Sequence, residues 1–208
     1  VPLSNYEELK TAVASWLDRD DLTAQIPDFI TVAESYINDD LRVTSMITEA
    51  TVTPSTTELY VSKPTGFKEA LAFNDDQGNS LIQVHHEDLK DQQNGASAGR
   101  PQYYSVTNRI NFERLADTSY SFVMTYYKAL DIATDSTNDI LTEYPSIYLY
   151  GTLLQAEPYI KNDARIDTWY QLYETALKKA NNRSLNSLKK LRTDHPTIRG
   201  GFDIIRGY

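Results

Sequence analysis

TNDILTEYPSIYLYGTLLQAE, residues 137–157, decides how this chain folds. Asn138 to Glu143 reads as a short helix, and Tyr144-Pro145 ends it because the residue before a proline avoids helical backbone. Ser146 to Glu157 then reads as a buried helix carrying Ile147, Tyr150, Leu153 and Leu154, with Pro158 kinking or closing it. The preceding stretch reads as strands, so the chain returns here to a helical body that it left near Ser45. The expected fold class is therefore α+β: a mainly helical body, an inserted small antiparallel β-sheet and an extended C-terminal tail.

Working outward toward the C-terminus, Asp163 to Lys190 reads as the longest helix, a span of about 40 Å. Trp169, Leu172, Tyr173, Ala176, Leu177, Ala180, Leu185 and Leu188 mark its apolar stripe, with a bend allowed at Asn181-Asn182. Asp163 and Asp167 lie early in it, while Lys178, Lys179, Arg183, Lys189 and Lys190 lie late, the distribution a helix dipole favours. Toward the N-terminus, Asn5 to Leu17 forms a helix through Tyr6, Leu9, Val13, Trp16 and Leu17, with Ser4 as cap and Glu7 completing a capping box. Ile26-Pro27-Asp28 opens a second helix, striped by Phe29, Ile30, Ala33, Tyr36, Ile37 and Leu41, with Pro27 in its first turn. The two helices are expected to form a short-looped hairpin.

Between these helical parts the texture is that of strands. Thr48 to Ser62 is Thr-rich with bulk at Val52, Leu59, Tyr60 and Val61, and Pro54-Ser55 splits it into two strands. Phe67 to Phe73 suits a strand or a short helix. Asn74 to Asn79 is a hairpin turn, and Leu81, Ile82 and Val84 make the return strand. His85 to Lys90 is a helical turn or two, and Asp91 to Gly99 a mobile loop. Tyr103 to Val106, Ile110 to Phe112 and Tyr120 to Tyr127 are strands, the last alternating Tyr120, Phe122, Met124 and Tyr126 on one face. The expected organisation is a helical body from 1–45 and 130–190, an inserted antiparallel region of five to six strands at 46–129, and a docking tail at 191–208.

Composition narrows the function. A chain of 208 residues with 40% hydrophobic and 24% charged residues buries a real core. No apolar run approaches a membrane span, and Val1-Pro2-Leu3-Ser4 leads directly into helical sequence without a secretion leader. Zero Cys removes disulfides, thiolate catalysis and cysteine metal sites, and leaves the redox compartment open. The net charge of -9 opposes nonspecific DNA binding by the whole surface. Fifteen Tyr suit either a Tyr-rich core or an interface.

No constellation points to catalysis, a metal or another cofactor. His85 and His86 are adjacent and diverge in direction, and no HExxH spacing exists. Asp20-Asp21, Asp39-Asp40 and Asp75-Asp76 fall at element ends or turns, where Asp caps and turns the backbone, so facing carboxylates across a cleft are not expected. No GxSxG elbow or phosphate loop appears, and Gly200-Gly201 and Gly207 lack the strand and helix such a loop needs.

Charge is distributed unevenly. Residues 161–208 carry 10 Lys/Arg against 5 Asp/Glu, and residues 1–160 carry 10 against 24. In the tail, Arg192, Arg199 and Arg206 alternate with Leu191, Ile198, Phe202, Ile204, Ile205 and Tyr208. That mixture is too apolar for a simple solvated arm and fits a peptide docked on a partner's sheet edge or groove. Folding back on its own subunit and a nucleic-acid arm remain alternatives.

Three stretches resemble the head-to-tail adaptor proteins of tailed bacteriophages, the head-completion group. The first is Trp16 to Leu22 running into Ile26-Pro27-Asp28-Phe29-Ile30, with Ala33-Glu34, Ile37-Asn38 and Leu41-Arg42. The second is Tyr126-Tyr127-Lys128-Ala129-Leu130. The third is Thr137 to Leu141, Tyr144-Pro145, Tyr148-Leu149-Tyr150-Gly151 and Leu154-Gln155-Ala156, closing with Asp163 and Trp169.

The resemblance implies a non-enzymatic virion part, assembled in the host cytoplasm and placed in the neck or tail region. It implies a ring of copies, usually twelve, between the portal and the tail nozzle or tail-tube protein, continuing the DNA channel with only transient proximity to DNA and no membrane. An acidic wall suits sliding, because like charges forgo binding by counterion release. Charge alone suggests that the acidic hairpin of one copy faces the Lys178 to Arg192 end of the long helix of the next. Lys189, Lys190 and Arg192 then meet one pair, Asp20-Asp21 at the hairpin's loop or Asp39-Asp40 at its far end. Ile198, Arg199, Phe202, Ile204, Ile205, Arg206 and Tyr208 are the expected portal-docking residues. Two rival functions stay open at this point: a nucleic-acid-binding module using the basic tail, and a virion-associated hydrolase.

Overall fold

The computed structural model describes residues 3–160 and 164–194, with side chains at 20 and 187–194 left undescribed. Over those residues the fold is α+β, with eight α-helices and seven strands. The chain divides into two compact units, Val1–Ser45 with Leu130–Tyr208, and Met46–Ala129.

In the helical unit, α1 (Tyr6–Leu17) is capped by Asn5, not Ser4. Asn5 stands in extended backbone, so its Oδ1 accepts from Glu8 N–H at 2.9 Å. Ser4 lies one residue further out, and its N–H and hydroxyl both donate to the Glu8 carboxylate. The cap thus lies one position later than the sequence suggests, and Glu8 reaches back past Asn5 to Ser4. Asp18 ends the helix in left-handed backbone at φ 53°, its N–H bonding Ala14 O.

Helix α2 (Ile26–Asp40) buries Phe29, Ile30, Ala33 and Ile37, and Leu41 is buried at its cap. Its main packing partner is α6 (Pro145–Gln155), on which α1 also packs, so the expected α1–α2 hairpin is two helices laid on a third. α6 buries Ile147, Tyr148, Leu149, Gly151, Thr152 and Leu153, nearly all round its axis, which makes it the centre of the unit. Ala156 closes α6, and Pro158 falls inside the separate short helix α7 (Glu157–Ile160). Before α6 come α4 (Ile132–Asp135), which the sequence reading missed, and α5 (Asp139–Glu143), capped by Asn138.

The long helix α8 (Ile166–Asp194) packs on α6 along Trp169, Tyr173, Leu177, Ala180 and Ser184. Gly151 permits that approach: a Cβ there would stand 3.1 Å from the Tyr173 ring. The predicted stripes were too broad. Trp16, Tyr36, Leu172 and Leu185 are exposed, because the 4-4-3-4 steps of the α8 seam leave Leu172 and Leu185 beside it. Asn181 does not break α8; its side chain is engaged elsewhere, as described below.

The β unit holds two sheets instead of one antiparallel sheet. The first has order β1 (Ile47–Val52), β7 (Phe122–Lys128), β3 (Phe67–Asn74), antiparallel throughout. The second has order β2 (Tyr60–Val61), β6 (Ile110–Phe112), β5 (Tyr103–Val106), β4 (Ile82–Gln83), and β4 runs parallel to β5. After the 75–79 turn the chain touches β3 through an Asn74–Ser80 bridge and the Leu81 N–H to Phe73 O bond, then leaves for the second sheet. Asp75 shapes that turn by accepting from the N–H groups of Gln77 and Asn79. Helix α3 (His86–Gln93) runs further than expected into the loop. The Gln93 amide holds Phe112 O at 2.7 Å, and Gly99 N–H bonds Leu115 O. One aromatic cluster fills the unit: Phe73 meets Tyr104 edge-on at 5.1 Å and Phe122 at 5.8 Å, with Phe112, Ile110, Met124 and Tyr126 around them. The alternation of Phe122, Met124 and Tyr126 is as expected.

Candidate interface surfaces

Polar side chains on α2 fix the chain where it re-enters the helical unit. Asn38 accepts from Leu130 N–H at 2.8 Å and donates to Leu130 O at 3.0 Å. One turn earlier, Glu34 Oε1 accepts from Ile132 N–H at 2.9 Å and from the Tyr148 hydroxyl at 2.6 Å. Tyr148 in turn accepts from Asn138 Nδ2, whose Oδ1 caps α5. Burial outweighs the bonds from Tyr148 and Ile132 and holds the Glu34 carboxyl above its usual range. Burial and the neighbouring Glu34 carboxylate push the Tyr148 phenol upward as well. These groups are enclosed and mutually satisfied, which makes them anchors of structure.

The acidic pairs do not converge. Asp20 and Asp21 form a short 3-10 turn, and Asp39 and Asp40 close α2, roughly 20 Å further along the helix. Arg19 grips Asp21 with two bonds of 2.6 Å, and that contact holds the Asp21 carboxyl below its usual range. Asp75 and Asp76 both pair with Arg100. His86 Nδ1 bonds Ser105 Oγ at 3.0 Å while the His85 ring turns toward Glu87 N–H. Among the described residues no group of three or more His, Cys, Asp or Glu is placed to hold a metal, and no helix is long and apolar enough to cross a membrane. The side chains of Asp20, Lys189, Lys190 and Arg192, and all of Ile198, Arg199, Phe202, Ile204, Ile205, Arg206 and Tyr208, lie outside the described residues.

The helical unit presents an open groove of about 490 Å³ between α2, α6 and the first half of α8. Tyr36 and Asp40 come from α2, Glu157 from α7, and Asp167, Tyr170 and Glu174 from α8. Tyr36 and Tyr170 stand 55% and 56% exposed, a large aromatic area left in water. Tyr173 lines the same groove, and its hydroxyl is buried without a hydrogen-bond partner among the described residues. Burial first, and then the carboxylates of Asp40 and Glu174, push its phenol upward. Sequence reading missed this surface; its only trace was the unusual number of Tyr.

Exposed aromatic surface beside carboxylates is chemistry suited to a contact with another molecule. The family model of the SU10 adaptor protein matches residues 4–195. The chain belongs to the SU10 adaptor protein family. This is a family of phage head-to-tail adaptors, so the resemblance carried by residues 16–42, 126–130 and 137–169 is sound. The match runs through both units and the whole of α8, and so covers the groove and every described acidic pair. Among curated proteins, no sequence match is found. The chain is accordingly a structural protein of the phage particle, an SU10-type adaptor of the virion neck, and a structural adaptor family implies a part without enzymatic chemistry.

Proposed function

We propose that copies of this chain assemble in the host cytoplasm as a ring, twelve in number, between the portal and the tail nozzle or tail-tube protein. The observation that carries the reading is the adaptor-family match across residues 4–195. The ring continues the DNA channel. Its acidic body, with 24 Asp/Glu against 10 Lys/Arg in residues 1–160, stands near DNA without holding it.

In this reading residues 1–45 and 130–190 are the ring body, 46–129 an inserted region, and 191–208 the docking tail. The tail residues Ile198, Arg199, Phe202, Ile204, Ile205, Arg206 and Tyr208 engage the portal. Neighbouring copies meet through opposite charge, with Lys189, Lys190 and Arg192 of one copy facing an acidic end of α2 on the next. Arg19 already neutralises Asp21, which favours Asp40, without a basic partner among the described residues, as that acceptor.

The test is native mass with and without purified portal protein. Truncation before Thr197 is expected to leave a folded protein that no longer binds portal. Joint conversion of Lys189, Lys190 and Arg192 to Glu is expected to weaken ring formation. Retained portal binding by the truncated protein refutes the tail assignment, and unchanged assembly refutes the charge pairing. Steep salt-dependent DNA binding traced to the tail Arg residues would instead favour a nucleic-acid module.

A further inference from the structure

We infer that the acidic, tyrosine-flanked groove between α2, α6 and α8 receives the basic second half of α8 from a neighbouring copy of this chain. The inference rests on the ring reading and names the two surfaces that meet in it.

The groove side asks for a cation set beside apolar carbon. Among the described residues no Lys, Arg or His lines it. Asp40, Glu157 and Asp167 have no basic partner among the described residues, while Glu174 is held by Lys178 at 3.0 Å. Tyr36 and Tyr170 supply flat aromatic area for a hydrocarbon stem or a guanidinium plane.

The helix side offers that chemistry. Lys179 and Arg183 lie four residues apart on one exposed face of α8 and have no carboxylate partner among the described residues. Asn182 and Asn186, both exposed, complete that face. A basic helix face whose Lys and Arg stems supply the apolar carbon, laid into an acidic groove with aromatic walls, is a helix-in-groove contact.

The two surfaces cannot satisfy each other within one copy. Both belong to one continuous helix, with Tyr170 and Asn182 about 18 Å apart along its axis. The helix cannot fold its second half into a groove that its first half lines. Each copy therefore carries an unused donor face and an unused acceptor groove, the arrangement of a heterologous contact that repeats from copy to copy and closes as a ring. Compared with a pairing of Asp39–Asp40 against Lys189–Lys190, the contact moves toward the middle of α8. Asp40 remains in it.

The chain has no cysteine, so cross-linking tests this cleanly. Tyr170→Cys and Asn182→Cys proteins are prepared separately, mixed in equal amounts and oxidised gently, with native mass recorded on the unmodified protein under the same conditions. The expected result is a several-fold excess of the 170–182 disulfide over 170–170 and 182–182, suppressed by high salt. A statistical mixture, or a dominant like-with-like disulfide, overturns the groove contact. If the native mass still shows a ring, the ring reading survives that failure; a monomer by mass with statistical cross-links sinks both. As a second arm, Asp40→Lys with Asp167→Lys weakens self-association by roughly tenfold, and so does Lys179→Glu with Arg183→Glu. Mixing the two charge-reversed proteins restores it, whereas no rescue would argue against direct pairing.

Discussion

Glu34 and Tyr148, 114 residues apart in sequence, meet at 2.6 Å between Oε1 and the hydroxyl oxygen in the core of the helical unit. The carboxylate also receives Ile132 N–H, and the hydroxyl also receives Asn138 Nδ2. One contact thus ties α2, α6, the start of α4 and the cap of α5 together. A buried polar group is costly when unpaired, so these three bonds stand or fall together.

Tyr148→Phe follows from that arrangement. The phenylalanine fills the same volume but leaves Glu34 one donor short and Asn138 Nδ2 without its acceptor. The expected loss is about 2 kcal/mol of unfolding free energy. Denaturant titration with an unchanged slope checks it; a loss near zero would mean that water replaces the hydroxyl without cost.

The same carboxylate gives a pH signature. Burial raises the Glu34 folded-state value above its ordinary 4.5, so the folded protein holds this proton more tightly than the unfolded chain. Stability drawn from Glu34 is therefore greatest below that ordinary value and falls as pH rises through the folded value. Glu34→Gln keeps an acceptor for Tyr148 and Ile132 without a charge. Its stability relative to the parent is expected to increase between about pH 4 and pH 7. Asp21 and Asp75 titrate in the opposite sense, but they are present in both proteins and cancel in the difference. A difference that stays flat with pH would show that Glu34 ionises freely.

Gly66 sets a third expectation. It stands at φ 68° in the turn where Phe67 N–H bonds Pro64 O, the type II position that needs positive φ. A Cβ there would also lie 3.0 Å from Lys128 Cγ, though that flexible stem can move aside. Gly66→Ala is expected to cost about 1–2 kcal/mol from backbone strain, read as a lowered Tm. Gly78, equally left-handed but with open space around it, costs only the strain, so Gly78→Ala separates strain from crowding.

Amphipathic elements were legible in the sequence because local periodicity reports a single buried face. The Phe29–Ile30–Ala33–Ile37 face of α2 and the Phe122–Met124–Tyr126 face of β7 are such cases. α6 was legible as a helix but not as the central one, because residues apolar all round give no direction to their partners. The parallel β4–β5 pairing escaped for another reason: Ile82 and Gln83 find their partners at Tyr103 and Tyr104 only after the chain has run through α3. The groove joins α2 residues to α8 residues more than a hundred positions away, so no local pattern of charge announces it. Asn181 shows the same blindness at a single residue, read as a bend when its role is set by a distant helix end.

That residue carries the last prediction. Asn181 Nδ2 donates to Asp40 O at 3.0 Å, and Asn181 Oδ1 accepts from Arg42 N–H at 2.9 Å. The amide therefore closes the C-terminal end of α2, where a carbonyl lacks a partner within the helix. Asn181→Ala removes both bonds at once and is expected to cost about 1–2 kcal/mol. Asn181→Asp keeps the acceptor for Arg42 but loses the donor and sets a negative charge against the carbonyl end of α2, so it should be no better than alanine. Asn182, the exposed neighbour, is the control: Asn182→Ala is expected to change stability by less than about 0.5 kcal/mol. Thermal unfolding of the three variants separates the two asparagines. Equal effects at 181 and 182 would return the pair to an ordinary stretch of helix, while a loss confined to 181 places it as the pin between α8 and the end of α2 that carries Asp40 into the groove.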